Sequence, residues 1–293
     1  MFKSVEDYLD ALQDEMKDAD PALAQDAQAD AREHLSLALE SAREKTPDVS
    51  EADALKSIVE EYGTPSETAS AYREIERRTS PSLKQAKKPS SIWGAIFGVY
   101  IDPHTWGSLL FMFITFVTGI LYFTWAVTGA MLSLSLMILI IGLPFALLFL
   151  FSVQGLALLE GRLVEALLGV RMPRRPLFAQ PGLKWLERLK ALVTDKHTWI
   201  SMLYMVLQMP LGIVYFTLLV ILISISLSFM VMPVIALIDR SAITYIYVGP
   251  WPLSTALYPL LMFFGFLVLT VSMHLIRTVG GWHGRYAKWM LVS

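Results

Sequence analysis

Along residues 1–80, apolar side chains return every three or four positions among charged ones, the period of amphipathic helices. Val5, Tyr8, Leu9, Leu12 and Met16 form one stripe behind Ser4, a helix-capping residue type with Asp7 three positions on. A second stripe follows Pro21 through Leu23, Ala27, Ala31, His34, Leu35 and Ala38. A third follows Ser50 through Ala54, Leu55, Ile58, Val59 and Tyr62. Gly63-Thr64-Pro65 stops that helix, and Ser66 opens a short fourth, through Ala69, Ala71 and Tyr72 to Ile75.

Beyond residue 100 the pattern changes. Residues 107–159 carry no charge before Glu160, and a membrane crossing needs about 20 apolar residues. Two spans are therefore expected, turning near Thr128–Ser135. Residues 200–238 and 256–276 are further long apolar tracts. The expected fold is all-α: three or four helices in a small cytosolic domain, then a polytopic helical membrane domain.

The membrane sequence repeats itself. Asp102-Pro103-His104-Thr105-Trp106 returns as Asp195-Lys196-His197-Thr198-Trp199, 93 residues later, and 12 of the 23 positions from Asp102 to Thr124 are identical at that offset. Gly161-Arg162-Leu163 through Leu168 stands opposite Gly284-Arg285-Tyr286 through Leu291 at an offset of 123, so the second copy is longer. The surplus lies around Met230–Thr255.

This organisation gives five segments. Residues 1–80 are the acidic domain and 81–100 a basic tether. Residues 101–170 are a first two-span repeat, 171–194 a cytoplasmic loop, and 195–293 a second two-span repeat with an insertion. In the loop, Leu183, Trp185, Leu186, Leu189, Leu192 and Val193 oppose Lys184, Glu187, Arg188 and Lys190, which predicts a helix lying in the interface. A plain hydropathy count reaches five spans. The repeat argues for four, with part of 224–255 re-entrant, external or an extra segment.

Charge bears on orientation. Residues 1–80 hold 20 of the 26 acids and 9 of the 24 bases, whereas the remainder holds 6 acids and 15 bases. Eight bases lie between Arg162 and Lys196, and Arg277, Arg285 and Lys288 close the chain. Bases gather on the cytoplasmic side, so both termini are expected inside. After Met1-Phe2-Lys3 no secretory signal follows, which keeps residues 1–80 in the cytosol. The lysines of the tether, with Trp93, Phe97 and Tyr100, suit an anionic membrane surface.

Little chemistry is visible. With no cysteine there are no disulfides, thiolate metal sites or cysteine nucleophiles. No Walker loop, HExxH or nucleophile elbow occurs. Asp102, Glu160, Glu165, Asp195 and Asp239 all read as interfacial, and the spans lack the buried ionisable groups of ion-coupled transporters. Tyr122 and Tyr215 read as helix–helix hydrogen-bonding groups. The candidate duplicated site is Asp102, His104, Trp106, Asp195, His197 and Trp199. It is either a two-fold ligand, metal or haem site or, as the simpler reading has it, a pair of helix caps with interfacial anchors. Haem is not favoured, because only His274 falls within a span, and no cofactor is expected. Arg162, Arg174, Arg175, Lys184, Arg188, Lys190 and Arg285 are candidate lipid-headgroup ligands, not a nucleic-acid site.

Two resemblances follow. Tyr8-Leu9-x-x-Leu12, His34 and Tyr62-Gly63-Thr64-Pro65-x-x-x-Ala69 resemble the HAAS domain that precedes many bacterial membrane proteins. That resemblance implies regulatory signalling, often beside a PadR-type transcription regulator, and no catalysis. Residues 93–293 carry a Trp-led span with Gly119-Ile120-x-Tyr122-Phe123, then Leu143-Pro144, Gly161-Arg162 and Ala166-Leu167-Leu168-Gly169, and a second Trp-led span. They resemble the sensor domain of bacterial signalling proteins, which often precedes a histidine kinase, although no kinase segment follows here.

The expected function is a non-enzymatic sensor of the bacterial cytoplasmic membrane. It would relay a membrane or small-ligand signal through residues 1–80 to a cytosolic partner such as a PadR-type regulator or a kinase, self-association being left open. The alternative is an accessory subunit of a membrane complex, with a transporter as a distant third.

Overall fold

The computed structural model describes residues 2–46, 50–78, 91–139, 142–174, 190, 192–238, 247–248 and 251–292. Four helices open the chain: α1 (Val5–Glu15), α2 (Pro21–Lys45), α3 (Glu51–Tyr62) and α4 (Pro65–Arg78). Their ends are satisfied locally. Ser4 and Ser50 accept from the backbone N–H of Asp7 and Asp53, and Asp20 accepts from Ala22. Gly63 adopts φ +107°, which lets the chain leave α3 and turn directly into α4. There Thr64 and Glu67 cap each other: the Glu67 carboxylate accepts the Thr64 N–H at 2.8 Å, and Thr64 Oγ1 accepts the Glu67 N–H at 3.4 Å. Thr64 therefore takes the capping place expected of Ser66, and the helix runs on past Ile75 to Arg78.

Alanines at Ala27, Ala31 and Ala69 let these helices approach closely around Tyr8, Leu9, Leu12, Met16, Leu35 and Leu55. The buried Tyr8 hydroxyl reaches the Gly63 carbonyl at 2.9 Å and Thr68 Oγ1 at 3.0 Å, tying α1 to the α3–α4 turn. His34, expected inward, is exposed and stacks on Tyr62 with ring centroids 4.6 Å apart.

The membrane part begins with α5 (Ile92–Phe97) and continues through α6 (Pro103–Leu136), α7 (Gly142–Leu168), α8 (Lys196–Ile238) and α9 (Tyr258–Leu291). Among the described residues, four helical stretches are long and apolar enough to cross a membrane: Ile92–Leu136, Gly142–Leu168, Lys196–Ile238 and Thr255–Leu291. Phe113, Trp125, Leu203 and Phe263 lie exposed on these helices, as lipid-facing residues do. The chain is a multi-pass, all-helical membrane protein.

The boundaries depart from the sequence expectation in two places. Helix α6 runs through Thr128–Ser135 to Leu136 and the chain first turns at 137–139, because Ser133 and Ser135 bond back to the Gly129 and Met131 carbonyls and so stay in the helix. Residues 224–238 continue α8, whose 43 residues at about 1.5 Å each exceed the roughly 30 Å hydrocarbon core. After it, Tyr247–Val248 (β1) and Trp251–Pro252 (β2) pair as a minimal antiparallel hairpin. Most of the tether (79–90) and of the expected interfacial helix (175–189 and 191) lies outside the described residues.

The chain forms two compact units. One comprises Met1–Lys84, Tyr122–Leu207 and Gly284–Ser293, and the other Gln85–Leu121 with Gln208–His283. Each membrane core thus draws on both halves of the sequence. In the first unit Tyr122, Ala126, Leu150, Val153, Leu192 and Met205 pack together. In the second the positions matched to these at offsets of 93 and 123, namely Tyr215, Leu219, Met273, Ile276, Val99 and Met112, do the same.

Candidate functional site

At the entrances of α6 and α8, matched residues make matched bonds. Trp106 Nε1 donates to the Tyr100 carbonyl at 2.9 Å, and Trp199 Nε1 to the Val193 carbonyl at 2.7 Å, while both indoles remain exposed. Asp195 accepts the Thr198 N–H at 2.8 Å, and Asp102 accepts the His104 N–H at 3.1 Å. The two entrances are closed by different partners. Arg277 pairs with Asp102 at 2.9 Å, whereas its counterpart Gln154 bonds Thr198 Oγ1 at 3.2 Å. This is the geometry of caps and anchors. His104 and His197 are half-buried, and no group of three His, Asp or Glu among the described residues is placed to hold a metal ion.

Deeper in the helices, one position before the matched Gly161 and Gly284, each unit buries an ionisable side chain. In the first unit this is Glu160, 1% exposed, whose carboxylate accepts from the Tyr204 hydroxyl at 3.0 Å. Tyr122 stands beside it, and Tyr286 stacks on Tyr204 with centroids 5.5 Å apart. In the second unit it is His283, also 1% exposed, whose Nδ1 lies 3.1 Å from the Tyr215 hydroxyl, with Phe111 4.7 Å away. Tyr122 matches Tyr215, Tyr204 matches Phe111, and Glu160 matches His283. The scaffold is shared; the charge is not. The carboxylate is buried against tyrosines brought by two other helices, Tyr204 from α8 and Tyr122 from α6.

The first unit also connects this core to the N-terminal helices. α7 ends at Leu168, and Gly169 after it, with φ +69°, turns the chain back. Met172 then packs against Gly161, next to Glu160, and Val170 against Gly284. Between them Arg171, 8% exposed, reaches Asp26 of α2 at 2.8 Å and Glu76 of α4 at 3.3 Å. The Arg174 N–H bonds the second Asp26 oxygen at 2.5 Å, and its guanidinium pairs with Glu165 at 2.9 Å. Lys288 in the last turn of α9 pairs with Asp20 at 2.5 Å. Asp26 is itself 5% exposed, so its ion pair with Arg171 is withdrawn from water and strongly penalised when either partner is lost.

A family model described as "Putative sensor" matches residues 111–291, well over half of the chain. The chain belongs to this family. No curated protein and no solved structure matches it. The sensor region covers Phe111, Glu160, Arg171, Tyr204 and His283, and begins after the Asp102–Trp106 entrance.

Within the sensor region the expected headgroup ligands divide. Arg162 and Arg285 are exposed at matched positions, Arg162 lying 3.5 Å from Glu165, and Lys190 is exposed. Arg174 is committed to Glu165 and Asp26. Arg175, Lys184 and Arg188 lie outside the described residues. Sequence reasoning missed Glu160, His283, Asp26 and Arg171. Only the first two left a trace, as neighbours of the repeated Gly-Arg pair.

Proposed function

We propose that this member of the sensor family is a non-enzymatic membrane regulator whose bundle biases the placement of its N-terminal helices. The observation that carries this reading is the buried Asp26–Arg171 pair. Arg171 sits on a three-residue stretch wedged by Val170 and Met172 against Gly284 and Gly161, so a shift of α7 at the Glu160–Tyr204 contact with α8, or of α9 at Gly284, moves the guanidinium that holds α2. Coupling through packed side chains of this kind transmits a change of state without a catalytic step.

In this reading the protein lies in the bacterial cytoplasmic membrane with both termini in the cytosol, as the distribution of bases suggests. The N-terminal helices, which resemble the HAAS domain, are the output. Their acidic surface suits a cytosolic partner with a basic face, such as a PadR-type regulator or a kinase. The similar cores built on positions 93 and 123 apart support a duplicated two-span ancestor.

The test is purification of the tagged full chain from its native membranes in mild detergent, with identification of what travels with it. A cytosolic regulator recovered with the wild type and lost when residues 2–78 are deleted supports the proposal. A stoichiometric membrane complex that persists without those residues contradicts it and points to an accessory subunit.

A further inference from the structure

The bases that hold the N-terminal helices lie at the ends of two candidate membrane spans. Arg171 follows the end of α7 at Leu168 by three residues, and Lys288 lies in the last turn of α9 beside Trp289, which is 77% exposed. Trp199, exposed near the start of α8, is a second aromatic of the kind that settles at the bilayer interface. A base at that depth is ordinarily met by a lipid phosphate. Here Arg171 is met by Asp26 and Glu76, and Lys288 by Asp20, carboxylates supplied by the chain's own α2 and α4.

We propose that the N-terminal helices occupy an anionic-lipid site, and that phospholipid headgroups compete with Asp26 and Asp20 for Arg171, Arg174 and Lys288. The inference rests on the relay reading and names its stimulus: the anionic lipid content of the membrane. Guanidinium and ammonium groups bind carboxylate and phosphate through the same charge-assisted hydrogen bonds, so one anion can replace the other without rebuilding the site. The exchange is lopsided by design, because Arg171 is nearly buried while the Arg174 side chain and Lys288 are 36% and 24% exposed. A headgroup therefore meets Lys288 and Arg174 first, and release of Asp26 from Arg171 follows. Free phosphate lacks the local concentration that a bilayer gives its headgroups.

The test uses the full chain, which has no cysteine of its own, carrying Asp18→Cys and Leu291→Cys, neighbours of Asp20 and Lys288, as a docking reporter for a short bismaleimide. This pair leaves both the Asp20–Lys288 and the Asp26–Arg171 contacts intact. In phosphatidylcholine vesicles the cross-link should form. As phosphatidylglycerol replaces phosphatidylcholine, its yield should be lost, and a matched bulk concentration of inorganic phosphate should leave it unchanged. A yield indifferent to phosphatidylglycerol overturns the inference, as does equal loss with inorganic phosphate. Asp26→Asn added to the reporter separates the two levels. If it lowers the yield in phosphatidylcholine while phosphatidylglycerol does nothing, the relay reading stands and the lipid inference falls. If neither has any effect, both fall.

Discussion

Gly119 and Gly212 are counterparts 93 residues apart, and each presses against the backbone of the other's helix. A Cβ on Gly119 would stand 2.6 Å from the Gln208 carbonyl oxygen, and one on Gly212 would stand 2.6 Å from the Thr115 carbonyl oxygen. Thr115 and Gln208 are themselves 93 residues apart, so α6 and α8 cross through one reciprocal contact. Close backbone approach at small residues is how membrane helices gain packing energy when lipid is as apolar as the side chains.

Alanine at either glycine therefore forces the crossing apart. Gly119→Ala and Gly212→Ala should each destabilise the bundle by about 1–3 kcal/mol, the usual cost of overpacking. Gly155→Ala, where a Cβ meets nothing within 4 Å, should be harmless. Thermal unfolding in detergent distinguishes the three, and equal behaviour of all of them would contradict the crossing.

The Glu160–Tyr204 bond is expected to act as a coupled unit. Tyr204→Phe and Glu160→Leu each leave a buried polar group without its partner and should each cost about 1–3 kcal/mol. The double variant should cost less than the two combined, because no orphaned group remains. A double-mutant cycle on thermal stability measures this directly. Strict additivity would mean that the bond contributes nothing.

Tyr8 gives a prediction in the N-terminal helices. Its burial raises the phenol above the ordinary tyrosine range, against the smaller opposing effect of its bond to Thr68. A group with a raised folded-state pKa stabilises fully below its unfolded value and loses that contribution as pH climbs through the folded one. The fold of α1–α4 should therefore weaken in alkali. Tyr8→Phe should remove part of that alkaline sensitivity and cost about 1 kcal/mol at neutral pH by unpairing the Gly63 carbonyl. Far-ultraviolet dichroism of wild type and variant across an alkaline titration reads both effects.

Helical period made the stripe of Tyr8, Leu9 and Leu12 visible, and uncharged length made the spans visible, since both are local properties. The caps at Ser4 and Ser50 were readable for the same reason. His34 failed because a residue at the edge of a helical face can turn to either side, and here Tyr62 offers it a ring to stack on at the surface. The α6 boundary failed because Ser133 and Ser135 look like turn residues until their hydroxyls bond the preceding helical turn. The partners of Glu160 left no local signal, because they are Tyr122 and Tyr204, 38 and 44 residues away. The Asp26–Arg171 pair spans 145 residues and leaves no periodic trace at all.

That pair carries the account, and the Asp18→Cys/Leu291→Cys cross-link in phosphatidylcholine vesicles tests it most directly. With Arg171 intact, the account predicts efficient cross-linking of the N-terminal helices to α9. Substitution of Arg171 by glutamine, which takes the guanidinium away from the buried Asp26 carboxylate, should lower the yield at least about tenfold, the equivalent of 1.4 kcal/mol and well inside the cost of breaking a buried ion pair. An Arg171→Gln chain that cross-links as well as its parent would contradict the claim that this residue holds the domain in place.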